Sequence, residues 1–414
     1  MVFKDPMLKK RVFFAIGALV VFRLLAAIPV PGIDTATLVK MINGNQFFGL
    51  LDLFSGGGIS HLSIVMLGVG PYITASIIMQ LLTMMIPSLK NMLHEDGEAG
   101  RAKLSQYSRV MSVPLALLQS VGFLILLENQ HIIPPLAPMA LLVNVIVVTG
   151  GSVLLMWIGE LISEFGIGNG VSLIIFAGII ARLPSVAGQF AAGFDAANIP
   201  IYAVALAIAV VVVAAVVYVT EAERSVPVTY AKQVRGNKVY GGVSTYLPLR
   251  LNQAGVIPII FALSILLFPN IIANFFSHSA NTLVATYATM VLGWISNQWV
   301  YAIGYFILVF LFTYFYTAVT FDPKQISENL QKSGAFIPGV RPGDSTMEYL
   351  ARVVTRITLV GALFLGIIAI LPLIMQGFTG GTTFAIGGTA LLIVVSVVLD
   401  LVKKIDAQVA MREY

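Results

Sequence analysis

The sequence predicts an all-α polytopic membrane protein with ten transmembrane helices. Of its 414 residues, 58% are hydrophobic and only 10% are charged, whereas an average soluble domain has about 25% charged residues. A helix needs roughly 20 apolar residues to cross a bilayer. Apolar runs of suitable length lie at 11–28, 59–86, 105–127, 139–159, 171–190, 200–220, 254–273, 295–320, 352–375 and 384–402. This composition excludes an ordinary soluble globular protein.

Lysine and arginine are concentrated in alternate connections between the runs, which predicts the orientation. They cluster before the first run, in the second, sixth and eighth connections, and after the last run, whereas the opposite side receives only Lys40 and, near the fifth run, Arg182. Because cytoplasmic loops carry the excess of basic residues, both termini are expected in the cytoplasm. The fourth connection, near Glu160 and Glu164, is the exception because it has no basic residue. The net charge of +5 favours contact between the cytoplasmic loops and anionic lipids.

Ten runs with both termini on one side divide into five and five. Halves with an odd number of spans are related by inversion across the membrane plane, as in many transport proteins. The sequence therefore predicts an N-terminal half of residues 1–190 and a C-terminal half of residues 191–414, although the two halves show no strong identity. The inverted relation is thus predicted from the number of runs alone.

The second run is interrupted by glycine on both sides of a short apolar stretch at 59–67. Nine residues of helix reach only about 13 Å, against a hydrocarbon core of about 30 Å. We therefore expect a half-helix, a break, and a second helix from Tyr72. Non-helical backbone at membrane depth needs cover from protein or from a water-filled cavity. The break indicates a pore, a re-entrant loop or a packing kink. At the start of the fifth run, the glycine-rich segment 165–170 is interpreted as a tight turn that admits close helix approach.

Residue types that carry chemistry are scarce. The chain has no cysteine, which excludes disulfides, thiolate metal sites and cysteine nucleophiles. The pair His94 and Glu95 lacks the second histidine of a metalloprotease motif, and Arg23, the clear intramembrane charge, is expected to reach the outer interface. The sequence predicts no enzyme, catalytic residue, metal site or cofactor. The alternatives to a channel are a secondary transporter of a small solute, which would need buried carboxylates, and an intramembrane enzyme, which would need a nucleophile beside a base.

Two connections, at 221–253 and 321–351, are long enough to fold outside the membrane. In the first, Val226, Val228 and Tyr230 alternate with polar residues, a basic turn follows at 235–238, and the chain returns over 239–247. Strict alternation on both sides of a turn predicts a β-hairpin. Its exposed turn is basic.

The second of these connections contains signals for helix ends. Asp322 before Pro323 predicts a helix start, Gly334 predicts its end, and Ser345 with Glu348 forms a capping box for the ninth run. Arg341 lies between two Pro-Gly turns, and its side chain is expected to be exposed rather than packed. Two basic loops on one membrane face favour docking of a large acidic partner such as ribosomal RNA or a cytosolic protein. Attraction to anionic lipid is the alternative.

Several segments resemble the SecY family, the channel subunit of the Sec protein translocase. The resemblance extends over nearly the whole chain, and its motifs occur in order. They are IPVPG at 28–32, GPYITASIIMQLL at 70–82, GIGNG at 166–170, AGVIP at 254–258 and PGVRPG at 338–343. The resemblance implies a protein-conducting channel that moves unfolded secretory polypeptides across the plasma (inner) membrane of a bacterium and releases hydrophobic segments sideways into lipid.

The resemblance also implies an hourglass pore closed by a ring of aliphatic side chains. An apolar constriction excludes ions by dewetting, while branched side chains fit around a passing polypeptide. The spacing of i and i+4 in two pairs of the ring places each pair on one helix face. In the tenth run, Leu392 is the neighbour of the ring position. The ring positions are Val69, Ile73, Val171, Ile175, Ile260 and Ile393.

Two further parts follow from the resemblance, namely a plug and a lateral gate. The plug is a half-helix at 55–67 that fills the external funnel, with glycines as hinges. Gln80 and Gln119 resemble the polar residues of a seam between the second and third runs and the seventh and eighth runs, where they either gate the seam or only hold the helices together. The plug residues are Ser55, Gly56, Gly57, Gly58, Ile59, Ser60, His61, Leu62, Ser63, Ile64 and Val65.

The partners are likewise implied by the resemblance. They are the small membrane subunits SecE and SecG, the motor ATPase SecA, the ribosome, signal sequences and unfolded polypeptides. Arg341 is the foremost candidate for contact with the motor or the ribosome, with Arg224, Arg235 and Lys238 as further candidates.

Overall fold

Helices occupy most of the chain in the computed structural model, which describes residues 6–31, 55, 57–59, 62–95, 97–129, 133–192, 199–230, 233–235, 238–240, 244–277, 281–379 and 387–413. The N-terminal helices are α1 (Pro6–Ala26), α2 (Gly70–Met85), α3 (Pro87–Glu95), α4 (Gly97–Asn129), α5 (Pro138–Phe165), α6 (Gly170–Ala192) and α7 (Ile199–Glu221). The C-terminal helices are α8 (Ile257–Ser277), α9 (Thr282–Ser296), α10 (Gln298–Thr320), α11 (Pro323–Lys332), α12 (Asp344–Thr379) and α13 (Gly387–Glu413).

The length and apolarity of these helices identify a multi-pass membrane protein. Within the described residues, four stretches satisfy both criteria for crossing a bilayer: Gly97–Asn129, Pro138–Phe165, Gln298–Lys332 and Asp344–Ile374. Shorter apolar helical stretches lie at Gly70–Met85, Gly170–Pro184, Leu206–Glu221, Ile257–Leu266 and Thr282–Ile295. Large apolar side chains remain exposed along the long helices, as expected where lipid rather than water surrounds them.

The segment before α2 corrects the prediction of a half-helix at 59–67. Residues 62–69 form turns on both sides of a bridge residue, Ser63. Three backbone N–H groups donate to the carbonyl three residues earlier: Leu62 to Ile59 at 3.0 Å, Met66 to Ser63 at 2.9 Å and Gly68 to Val65 at 2.8 Å. Left-handed backbone at Leu62 (φ 41°) and Gly68 (φ 57°) prevents a continuous α-helix.

Pairing with the chain that follows α1 is the second reason why this segment is not helical. The N–H of Val30 donates to the carbonyl of Leu62 at 2.7 Å, and the N–H of Ile64 donates to the carbonyl of Ile28 at 3.0 Å. These bonds form an antiparallel bridge between Pro29 and Ser63. Backbone groups that are used in a bridge are not free for helical hydrogen bonds.

Helix α9 was not predicted as a separate element. Asn281 caps its start by accepting from the N–H of Leu283 at 3.1 Å. Asn297 follows the last residue of α9 and also caps the start of α10, because its side chain accepts from the N–H of Trp299 at 3.1 Å. The eighth run therefore begins at Gln298 rather than at 295. With 15 residues, α9 is shorter than the roughly 20 residues of a full crossing, and it packs against α8.

The predicted hairpin is confirmed. Strands β1 (Glu223–Tyr230) and β4 (Ser244–Arg250) pair antiparallel, and β2 (Gln233–Arg235) pairs with β3 (Lys238–Tyr240) nearer the turn. A short strand, β5 (Ala335–Phe336), joins the other edge of β1, which gives the order β4-β1-β5. The alternating side chains Val226 and Val228 are buried in a cluster with Leu350 and Val354 of α12. The hairpin is therefore anchored on the start of α12.

The helix-end signals of the eighth connection are confirmed in part. The Asp322 carboxylate accepts from the N–H groups of Lys324 and Gln325 at 2.9 and 3.3 Å, and Gly334, at φ 69°, follows the end of α11. The capping box at Ser345 is wrong, because α12 begins at Asp344 and the carbonyl of Gly343 accepts the first N–H groups. At φ 99°, Gly343 turns the chain into the helix two residues earlier than the box requires.

The turn between α5 and α6 has the close approach that its glycines predicted. A Cβ built on Gly170 would overlap the carbonyl of Gly159 and lie 2.8 Å from the Cβ of Ile162. Ser163 accepts from the N–H of Gly170 at 2.8 Å, which satisfies the first amide of α6. Glycine at 170 thus lets α5 and α6 meet backbone to backbone.

Candidate functional site

The six predicted ring positions lie in one large apolar cluster, called the central cluster below. Val69, Ile73, Ile175, Ile260 and Ile393 are buried members of the cluster, and the half-buried Val171 packs against it. They come from the turn before α2, from α2, α6, α8 and α13, and therefore from both proposed halves. The cluster also contains residues of α1, α5, α7, α10 and α12, so the ring positions are a subset of a larger core.

Local geometry relates two of the ring positions to each other. The N–H of Ile73 donates to the carbonyl of Val69 at 3.0 Å, so these two residues lie one helical turn apart. Ile175 is 1% exposed. In the tenth run, Leu392 and Ile393 are both buried in the cluster.

A cavity of about 290 Å³ adjoins the central cluster. Leu173, Val256 and Val397 line the cavity and also belong to the cluster, so one end of the cavity is apolar. Its other walls include Ser172 and Arg250, and it is bounded by the start of α6, the chain before α8 and the second half of α13. The cavity thus leads from the base of the hairpin to the aliphatic cluster.

The charges around this cavity are largely paired. Lys403 contacts Glu221 of α7 at 2.8 Å, and Lys404 contacts Asp400 at 2.8 Å. Both ion pairs are partly exposed, so solvent screens them and each contributes little stability. The lining of the cavity thus combines paired charged side chains with apolar ones.

The described part of the predicted plug is buried. Ser55, Gly57, Gly58, Ile59, Leu62, Ser63 and Val65 are buried, and Ile64 is half-buried, while Gly56, Ser60 and His61 lie outside the described residues. Ile59, Leu62 and Met66 pack in a second apolar cluster with side chains of α4 and α5, such as Phe123 and Val148. Val65 and Val69 instead belong to the central cluster. The segment thus connects the two clusters.

The predicted seam is closed in this structure. Helix α8 packs against both α2 and α4. Gln80 is half-buried on α2, where its amide nitrogen donates to the Ser76 hydroxyl at 3.4 Å. Its amide oxygen is buried and has no hydrogen-bond partner among the described residues. Gln119 is half-buried on α4, the neighbour of α2.

The predicted partner-binding residues lie on the hairpin and on the loop that follows β5. Arg341 is exposed between β5 and α12, and its carbonyl accepts from the Thr346 hydroxyl at 2.9 Å. Arg224 is exposed on β1. Arg235 and Lys238 are cross-strand partners at the end of the β2–β3 ladder. Because β5 pairs with β1, the two predicted loops form one surface.

Sequence analysis missed the ion pair between Arg109 of α4 and Glu160 of α5, whose atoms Nε and Oε1 are 2.8 Å apart. The pair explains why the fourth connection needs no basic residue of its own. Arg109 from the second connection neutralises Glu160, which places the two connections on the same side. In the sequence, the one hint of this ion pair is that the fourth connection offers no basic residue to neutralise Glu160.

Comparison with known proteins identifies the family. The model of the SecY family matches residues 63–402. The chain belongs to the SecY family. It is 43% identical to the protein translocase subunit SecY of Corynebacterium glutamicum, over 100% of this chain and 97% of that protein. The resemblance that the motifs predicted is confirmed.

Solved structures share the fold of this SecY-family chain. A structure described as "The structure of a protein conducting channel" matches with a TM-score of 0.65 and 19% identity, over 96% of this chain and 91% of that chain. Sec61 in the canine ribosome-channel complex from the endoplasmic reticulum matches with a TM-score of 0.61 and 18% identity, also over 96% and 91% of the two chains.

Proposed function

We propose that this chain forms a protein-conducting channel that moves unfolded secretory polypeptides across a bacterial plasma membrane. The observation that carries the proposal is that the six aliphatic ring positions lie in one apolar cluster, of which three other members, Leu173, Val256 and Val397, line a cavity. We further propose ten spans in two inverted halves, residues 1–190 and 191–414, with both termini in the cytoplasm. The chain itself has no catalytic role in this proposal.

An aliphatic waist suits a polypeptide better than it suits a small solute. Dewetting keeps ions out of a narrow apolar constriction, and branched side chains can pack around an extended chain of any sequence. A secondary transporter would need buried carboxylates for coupling. Among the residues that the structure describes, the buried polar side chains are those of serine, threonine and asparagine. This composition favours the channel.

The seam supports release of hydrophobic segments into lipid. Gln80 and Gln119 lie on the two helices that face α8, so separation of α8 from α2 and α4 would open the pore sideways. A hydrophobic signal sequence that enters the seam would replace weak helix–helix contacts. Polar stretches would remain in the pore, because exposing them to lipid is costly.

The surface formed by the hairpin and the loop at Arg341 is the proposed docking site for cytosolic partners. Its exposed arginines favour acidic surfaces, and the structural relative Sec61 was solved in a ribosome-channel complex. We propose SecA and the ribosome as alternative occupants and anionic lipid as a neighbour of the same loops. SecE and SecG are proposed as membrane subunits that pack on the lipid-facing helices.

The proposed ring can be tested by ion conductance. Replacing Ile73 and Ile175 together by glycine should raise the resting conductance of the purified complex in planar bilayers several-fold, because the loss of two branched side chains widens and hydrates the waist. The same complex without substitutions should carry a precursor protein into vesicles, where it becomes protected from protease.

Matched controls separate the ring from general helix destabilisation. Met84→Gly in α2 and Ile180→Gly in α6 alter exposed residues of the same helices and impose a similar cost in helix propensity. They should leave the conductance at the level of the unsubstituted complex. Unchanged conductance of the ring variant would argue against the ring, and failure to protect any precursor would argue against the channel.

A further inference from the structure

We propose that Gly151 and Ser152 of α5 are positioning residues that hold the plug segment, defined here as residues 62–69, in its resting place. This inference rests on the proposed channel function. It concerns a contact between two backbones, which neither the sequence motifs nor the seam explain.

Gly151 brings the backbone of α5 directly against the plug segment. A Cβ built on Gly151 would overlap the carbonyl oxygen of Ile64, and would lie 2.7 Å from its carbonyl carbon and 3.3 Å from Cγ1 of Val65. The first two atoms belong to the backbone and have no rotamer by which to move away. Any side chain at 151 would therefore displace the segment from α5.

Ser152 holds the same segment four residues further along the chain. Its hydroxyl donates to the carbonyl of Gly68 at 2.9 Å, across a sequence separation of 84 residues. Ser152 is buried, so the bond is sheltered from water. Gly68 has φ 57° and forms the turn through which the segment enters α2. The two consecutive residues of α5 thus hold the segment at 64 and at 68.

The position of the segment determines the position of part of the ring. Val65 lies between the two contact points and points into the central cluster, and Val69 follows the second contact point directly. Movement of the segment away from α5 would therefore displace Val69 from the waist. Because both contacts are made to carbonyl groups, they constrain where the segment lies rather than which side chains it carries.

The neighbouring residue Gly150 provides a matched control. It lies on the exposed side of α5, and a Cβ built there meets nothing within 4 Å. Ser120 of α4 provides a second control, because its hydroxyl pairs with that of Thr149 on α5 at 3.1 Å rather than with a carbonyl of the plug segment. Ser120→Ala thus removes a buried bond of the same helix pair.

The test combines a measurement of plug position with a measurement of channel closure. The chain has no cysteine, so Val65→Cys, at a site buried in the resting structure, gives a single thiol whose reaction with a maleimide reports exposure of the segment. In the full complex, Gly151→Ala and Ser152→Ala should each accelerate this labelling several-fold. They should also raise the resting conductance and allow passage of a precursor with a defective signal sequence. Gly150→Ala and Ser120→Ala should leave all three readouts unchanged.

The possible outcomes separate this inference from the proposed function. Equal labelling and conductance of the Gly151→Ala and Gly150→Ala variants would overturn the inference, as would a leak in Ser120→Ala as large as that in Ser152→Ala. If Gly151→Ala fails to fold, Ser152→Ala decides in its place. Failure of the unsubstituted complex to carry any precursor would refute the channel, while the labelling would still report whether α5 holds the segment.

Discussion

Single side chains at the seam and on the loops differ in how tightly their surroundings constrain them. The buried amide oxygen of Gln80 has no hydrogen-bond partner among the described residues, whereas the exposed side chain of Arg341 is constrained only through its backbone. A buried unpaired polar atom costs about 1–3 kcal/mol. A substitution at Gln80 should therefore change the stability of the closed packing, whereas a substitution at Arg341 should change the charge that the surface presents.

Replacing Gln80 and Gln119 by leucine should make the seam harder to open. At Gln80 the change removes an unpaired polar oxygen from the closed state and stabilises that state by about 1 kcal/mol. We expect a signal sequence to need greater hydrophobicity for insertion, as measured with a series of signal peptides of graded leucine content. Gln325→Leu on the exposed face of α11 is the control. A threshold that stays the same or falls would contradict the assignment of the seam.

Arg341→Glu should reduce SecA-driven translocation into vesicles more than tenfold while leaving the fold intact. The reversal of charge acts on a side chain that is exposed and displayed for contact, and the local turn is held by the carbonyl of Arg341 rather than by its guanidinium. Lys324→Glu, at an exposed position on α11, reverses a charge of the same sign and should have little effect. Normal transport by Arg341→Glu would exclude this role.

At the scale of elements, the turn segment before α2 is attached on two sides. It bridges to the chain after α1 through Pro29 and Ser63, and its side chains enter both apolar clusters. The glycine pattern predicted a break there, but the form of the break depends on long-range contacts. Backbone bonds from residues 28 and 30 compete with helical bonds at 59–67, and no local sequence signal contains that information.

Cross-linking this bridge should lock the resting state. Pro29 and Ser63 form the non-hydrogen-bonded pair of an antiparallel bridge, because the bonds run between their neighbours. Such pairs have Cα atoms about 4.5 Å apart, which a disulfide can span. The double substitution Pro29→Cys with Ser63→Cys should therefore block precursor translocation under oxidising conditions and recover it with reductant.

The single substitution Pro29→Cys is the control for this cross-link, since the chain has no other cysteine. It should transport equally well with and without oxidant. If the oxidised double variant translocates normally, then Ser63 stays beside Pro29 during opening, which would contradict the proposed movement of the plug segment.

At the scale of the whole molecule, the central cluster and the ion pairs join distant parts of the chain. Helix α8 is the element through which the C-terminal half contacts α2 and α4. The pair between Arg109 and Glu160 brings the parts of the chain assigned to the second and fourth connections into contact. The arrangement agrees with the orientation that the basic loops predict.

This orientation can be tested with single cysteines in the cysteine-free chain. Ser225→Cys on β1 and Thr282→Cys at the start of α9 are both at exposed positions. A membrane-impermeant maleimide should label Ser225→Cys only in inverted vesicles and Thr282→Cys only in intact cells, because the basic loops stay in the cytoplasm. Labelling of both from one side would contradict the proposed topology.

The sequence by itself determined that the chain crosses a membrane repeatedly, that it belongs with SecY-like proteins, and that a hairpin and a capped helix form in its basic loops. These features depend on composition, alternation and neighbouring residues, all of which are local. The tertiary structure decided the turns at 62–69, the closed packing of α8, and the partner of Glu160. Those features depend on which backbones and charges meet across tens of residues, and in an almost uniformly apolar sequence the hydrophobic pattern does not distinguish one helix neighbour from another.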